Sequence, residues 1–202
     1  MKTKFTSGQR KRIREGIGEK YKRVAVTPEG NFSYPTGRKG LEGQKYDPEL
    51  IELLPEDVLA SYCGVGNPFT LGPLNRGEAV LDIGCGAGLD TLISAILVGP
   101  EGKAVGVDLV PEMLTRAKAN LKKTSVQNVT FQEASAERLP FPDGTFDVVL
   151  SNGAFNLIPD KAKGLGEVFR VLKPSGRFQL ADQILTGGTP ADNESLVKIW
   201  AG

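Results

Sequence analysis

Ala79-Val80-Leu81-Asp82-Ile83-Gly84-Cys85-Gly86-Ala87-Gly88 is the stretch on which the fold turns. Its first half, Ala79 to Leu81 with Ile83, is a short apolar run of the kind that forms a strand buried on both faces. Its second half sets glycine at 84, 86 and 88 and leads into a helix-like segment, Leu89 to Val98. Glycine permits a tight turn, and lacking a Cβ it lets a ligand approach the backbone. Free N–H groups at the start of the following helix face the same space. Strand, glycine turn and helix together make a seat for a nucleotide-like ligand.

Spacing decides which ligand. A dinucleotide fingerprint reads Gly-x-Gly-x-x-Gly, whereas the last interval here is one residue shorter. A second apolar strand, Ala104 to Val107, ends in Asp108, 24 residues after Gly84. An acidic residue at that point is placed to accept hydrogen bonds from two ribose hydroxyls. Asp82, just ahead of the glycines, disfavours a pyrophosphate and suits a cationic ligand. The glycines alone also fit an ordinary strand-to-helix turn; Asp82 and Asp108 in register select the nucleoside site.

These residues resemble the class I S-adenosylmethionine-dependent methyltransferases. The matching pieces are residues 80–88, Val105-Gly106-Val107-Asp108, Ala136-Glu137-Arg138-Leu139-Pro140-Phe141, Phe146-Asp147-Val148-Val149 and the run from Arg170 to Arg177, in the family's order across residues 79–182. Within the family, Ser61-Tyr62-Cys63-Gly64-Val65-Gly66-Asn67-Pro68, the run Ser151 to Lys161 and the tail Leu196 to Gly202 are similar to the arsenite methyltransferases.

Composition narrows the alternatives. The chain has 202 residues, 40% hydrophobic and 24% charged, with a formal net charge of +1. That describes an ordinary globular protein with no global pull toward nucleic acid or an anionic membrane. No apolar run is long enough for a membrane span, and Met1-Lys2-Thr3-Lys4-Phe5 lacks the apolar centre of a secretion signal. The two cysteines, Cys63 and Cys85, follow neither a metal spacing nor a disulfide framework, so a reducing cytoplasm is expected. Histidine is absent, which removes Ser–His and Cys–His nucleophilic mechanisms and the commonest general base. No metal site is expected.

The expected architecture is α/β. A Rossmann-like sheet carries helices on both faces, with strands near 79–83, 103–108, 127–132, 146–151 and 176–184. Helices are expected near 88–98, 111–122, 160–172 and from about 190. Residues 1–75 form an N-terminal helical and loop extension on the lid side of a cofactor-binding domain, 76–202. In the extension, Ile13, Ile17, Tyr21 and Val24 mark an amphipathic helix whose basic face is read as solvated. Thr27 to Gly43 reads as a loop, either a flap or a connector. Two short helical pieces follow, the first capped by Asp47 with Pro48 at its first position. Family sheets have seven strands, and the last two are lacking here. Either the chain was cut within the domain, or self-association supplies the remainder, a homodimer forming through the open edge of the fifth strand.

The resemblance implies a cofactor, S-adenosyl-L-methionine, a product, S-adenosyl-L-homocysteine, and a set of contacts. Gly84, Cys85, Gly86 and Gly88 bring backbone against the amino acid and ribose, although Cys85 also reads as packing. Asp82 holds the methionine ammonium. Asp108 takes the ribose hydroxyls, with Leu109 and Met113 against the adenine; simple helix packing is the other reading of Met113. Ser135 stands where many relatives carry an acid, and the Ala136 N–H reaches a ring nitrogen. Glu137 faces solvent or caps a turn. Ser151, Asn152 and Asn156 close the fourth strand beside the methyl group. Asn152, Asn156 and Asp182 are the acceptor-side candidates, against turn-forming readings of Asn152 and Asp182.

The arsenite subgroup binds its substrate through cysteine thiolates, which suit a soft centre. Val65 and Gly153 stand at two of those positions, and the third would follow Gly202. The expected activity is therefore methyl transfer to a small, non-arsenic acceptor, without nucleic acid or membrane. The alternatives are a non-catalytic domain that binds the cofactor or its product, and an arsenite methyltransferase despite the missing cysteines.

Overall fold

The computed structural model describes residues 5–184 and Ser195. Five parallel strands form one sheet in the order β3-β2-β1-β4-β5. They are β1 (Ala79–Ile83), β2 (Lys103–Asp108), β3 (Val129–Glu133), β4 (Phe146–Asn152) and β5 (Leu172–Ala181). β1 is buried along its whole length, as its apolar run requires. The chain runs outward from β1 to β3, then crosses back to lay β4 on the other side of β1. The crevice at the carboxyl ends of β1 and β4 is thus a topological switch point, where open α/β sheets bind ligands.

Side-chain alternation sorts the core. Ala79, Leu81, Ile83 and Val107 pack with Val168 and Val171 of α7 (Lys161–Val171) on one face. The other face takes α5 (Leu89–Val98) and α6 (Pro111–Leu121). α5 is apolar almost all round, so it needs cover on its outer side as well. The extension supplies that cover. Leu41 of α2 (Gly37–Gly43), Ile51 of α3 (Pro48–Glu52), Val58 and Leu59 of α4 (Glu56–Leu59), Tyr46 and Tyr62 share one core with Leu89, Leu92 and Ile93.

α1 (Ser7–Val26) opens with a capping box: Thr6 Oγ1 accepts from Gln9 N–H, and Gln9 Oε1 from Thr6 N–H. Its Val24 and Tyr21 pack with Ala87, Val110 and Met113, which carries the helix across the mouth of the switch point.

Two expectations need correction. The segment 27–43 contains α2, whose three glycines hid it. β5 begins at Leu172 rather than 176, with a bulge inside the strand where the pairing jumps from Phe146↔Leu172 to Val148↔Arg177 and Ser175 has φ +66°. Asp47 does cap α3, accepting from Glu49 N–H. The helix expected from about 190 lies outside the described residues, and β5 is an outer strand of the described sheet.

Candidate cofactor-binding site

Two cavities open side by side at the switch point and share Gly84, Asp108, Ala154 and Leu157. Glycine is required where they meet. Gly84, Gly86 and Gly88 all have left-handed φ (+72°, +53° and +87°). A Cβ on Gly84 would lie 2.2 Å from Ala154 Cβ, and one on Gly88 2.6 Å from Phe131 Cζ. The turn nevertheless offers fewer donors than its sequence implies. The N–H groups of Gly84 and Cys85 both donate to Val107 O, that of Gly86 to Asp108 Oδ2 and that of Gly88 to Cys85 O. The glycines therefore give room rather than donors.

The first cavity is acidic. Asp82, Asp90 and Asp108 line it, and no lysine or arginine does among the described residues. Thr91 Oγ1 donates to Asp82, and the N–H groups of Gly86 and Val110 donate to Asp108. Asp90 accepts from Tyr46 Oη at 2.7 Å and from Asn152 Nδ2 at 2.9 Å. Burial raises the pKa of all three carboxyls, and Asp90 beside Asp82 raises Asp82 further. Burial thus favours the neutral acids until a cation enters, and a cation there would draw the protons off and pair with the carboxylates.

A pH dependence follows. Between the ordinary aspartate pKa and the raised native one, the folded chain holds a proton that the unfolded chain has released, so stability falls as pH rises. Each group contributes at most about 1.4 kcal/mol per pH unit. The lowered carboxyls, such as Glu78 (about 2), Asp147 and Asp160, act in the opposite sense but below pH ~4.5. With no histidine in the chain, the ligand-free protein is expected to melt several degrees higher at pH 5.5 than at pH 8. Asp82→Asn should flatten that slope; an unchanged slope would place the titration elsewhere.

The second cavity is lined mostly by apolar groups: Ile17 and Gly18 of α1, Ile83, Leu109, Val110, Ala134, Ala136, Ile158 and Pro159, with Ser135 at its side. It suits a flat heterocycle. Arg14 of α1 closes it by an ion pair of 2.6 Å to Glu137, and Arg10 pairs with Asp160 at 3.4 Å. Glu137 is therefore buried between α1 and the Asp160 N–H, which also donates to it, rather than solvent-facing.

The predicted residues divide sharply. Asp82, Gly84, Cys85, Gly86, Asp108 and Asn152 line the first cavity, and Leu109, Ser135 and Ala136 line the second. Gly88, Met113, Ser151, Asn156 and Asp182 line neither. Met113 is fully buried in packing, and the Ser151 hydroxyl donates to Ile83 O. Asp182 accepts from Asn156 N–H at 2.7 Å and so secures the 3-10 turn Phe155–Leu157. The Asn156 side-chain oxygen is buried without a partner among the described residues.

Asn152 is already engaged by the protein. Its Oδ1 accepts from Val65 N–H and Gly66 N–H at 2.9 and 3.1 Å, and its Nδ2 donates to Gly66 O and Asp90. It ties the 63–66 segment to β4 instead of presenting an amide to a ligand. Sequence reasoning missed Tyr21, Asp90, Ala154 and Leu157 as lining residues. An acid in the first turn of α5 was the one available signal for Asp90.

A family model described as a methyltransferase domain matches residues 74–197. An arsenite methyltransferase of Halobacterium salinarum is 36% identical over 163 residues, 81% of this chain and 41% of that protein. A demethylmenaquinone methyltransferase of Lactococcus lactis is 44% identical over 101 residues, 50% of this chain and 40% of that one. The chain thus spans about two fifths of the length of these curated relatives. Among solved structures, an arsenic(III) S-adenosylmethionine methyltransferase from Chlamydomonas reinhardtii superposes with TM-score 0.56 at 34% identity, covering 74% of this chain and 50% of that one. A SAM-dependent methyltransferase from Aquifex aeolicus gives 0.54 at 28% identity, covering 81% and 86%.

Proposed function

This chain belongs to the methyltransferase-domain family, and from that premise we propose that it transfers the methyl group of S-adenosyl-L-methionine to a small, non-arsenic acceptor. One observation carries the proposal: an acidic cavity with no lysine or arginine among the described residues that line it, and a mostly apolar cavity, meet at Gly84 and Asp108. S-adenosylmethionine has the matching halves, a cationic amino acid and sulfonium on one side and an adenine on the other.

The residues present fit that cofactor. Asp82 and Asp90 set a negative potential for the ammonium and sulfonium, Asp108 takes the ribose hydroxyls, and Leu109, Val110 and Ala136 enclose the ring. Bound there, the cofactor supplies an electrophilic methyl carbon. The chain's own work is to hold an acceptor in line with it and to exclude water, and positioning of this kind is worth about 7–11 kcal/mol. We assign the roofing to the extension, residues 1–75, over the binding domain 76–202, and place the protein in the cytoplasm on its two free thiols.

Val65 and Gly153 support a non-arsenic acceptor. A Cβ on Gly153 would lie 3.2 Å from Val65 Cγ1, so the two positions touch and neither bears a thiol. The thiols that are present are poor metalloid ligands. Burial pushes Cys63 up to about 12 and Cys85 well above the ordinary range, which suppresses the thiolate that would bind. The demethylmenaquinone methyltransferase among the relatives is compatible with an apolar acceptor.

S-adenosylhomocysteine release from purified protein against a panel of phenols, quinols and amines tests the proposal. Turnover with at least one of them is expected. Tight cofactor binding with no turnover on any would favour the non-catalytic binding domain instead.

A further inference from the structure

The acidic cavity presents a problem to its own ligand. S-adenosylmethionine carries a carboxylate beside its ammonium, and the cavity answers the ammonium with Asp82 and Asp90 while, among the described residues, offering the carboxylate no lysine or arginine. Some neutral donor must face it.

The lining side chains can be taken one at a time. Ser61 donates to Val58 O at 2.6 Å, and Tyr62 donates to Gly66 O at 2.9 Å. Asn152 directs its amide hydrogens to Gly66 O and Asp90. Cys85 Sγ lies 3.8 Å from Gly86 O, and the thiols of Cys63 and Cys85 are weak donors in any case. Four of the five amides between 84 and 88 are engaged within the protein.

Tyr21 is different. It reaches the cavity from α1, and its hydroxyl makes no hydrogen bond among the described residues. Its ring packs against Phe32, with centroids 6.4 Å apart. Asp108, Asp182, Cys63 and Tyr34 all lie within electrostatic reach of the oxygen, and with burial they keep the phenol protonated, hence a donor.

We infer that Tyr21 is the side-chain donor to the ligand's amino acid carboxylate, so that α1 recognises the methionine end of the ligand and does not merely cover it. This rests on the cofactor reading given above.

The test compares two ligands on two proteins by calorimetry. S-adenosylhomocysteine carries the carboxylate; 5′-methylthioadenosine keeps the nucleoside and lacks the whole amino acid. Tyr21→Phe removes one oxygen and leaves the ring. It is expected to weaken S-adenosylhomocysteine by about 10- to 100-fold, the range for a hydrogen bond to a charged group, and to leave 5′-methylthioadenosine and the melting temperature unchanged. Equal binding of S-adenosylhomocysteine by variant and wild type overturns the inference. So does an equal loss of both ligands, which would make the hydroxyl a prop for α1.

Decarboxylated S-adenosylmethionine provides a measurement on the unmodified chain. Loss of the ligand's carboxylate and loss of the hydroxyl should weaken binding by similar factors that do not multiply; factors that multiply fully overturn the inference. Failure of the wild type to bind any adenosyl ligand is distinguishable, since it defeats the cofactor reading itself.

Discussion

Gly84→Ala is expected to abolish measurable binding of S-adenosylhomocysteine and to destabilise the chain by about 2–5 kcal/mol. The figure combines the cost of a left-handed φ at a residue with a Cβ and that of overpacking. Both apply here, because φ is +72° and the new methyl would lie 2.2 Å from Ala154 Cβ. The two costs can be separated. Ala154→Gly in the same chain removes the clash and leaves the dihedral strain, so the double variant should recover more than half of the lost stability. Chemical denaturation measures this directly. A Gly84→Ala protein that unfolds like the wild type and still binds would show that the turn's tightness does not form the seat.

Asp108→Ala should cost about 100- to 10,000-fold in affinity for any adenosine-containing ligand, the equivalent of two hydrogen bonds to a charged acceptor. Part of this loss is indirect, since Asp108 also receives the N–H groups of Gly86 and Val110 and thereby shapes the turn. A ligand comparison isolates the direct part. Wild-type protein should prefer 5′-methylthioadenosine to its 2′-deoxy counterpart, and the variant should not distinguish them. A variant that keeps the preference would show that the ribose is read by another group.

Much of the fold was legible because it is local. The alternation of apolar runs with amphipathic ones gave β1 and β2 at their observed limits and the start of α6 at 111. Part of the site was legible for the same reason: the glycines and Asp108 are close in sequence, and their spacing carries the geometry. What escaped was long-range. Asn152 looked like a ligand contact because an amide at a strand end is exposed unless something reaches it, and what reaches it comes from residues 62–106 positions away. Glu137 looked solvent-facing because its partner, Arg14, stands 123 residues earlier. α2 escaped for a different reason, since three glycines in seven residues oppose helix formation and only packing of Leu41 into the core overrides them.

The crossing from β3 back to β4 also governs when the site comes into being. Val80 pairs with Val148, and Asn152 holds Val65 from 87 residues away. During synthesis, the glycine turn therefore leaves the ribosome long before the strand that completes its far wall. Pairings this far apart in sequence are expected to form slowly. Until β4 docks, the turn stands without its far wall, so a ligand that needs both walls is expected to bind only after that step.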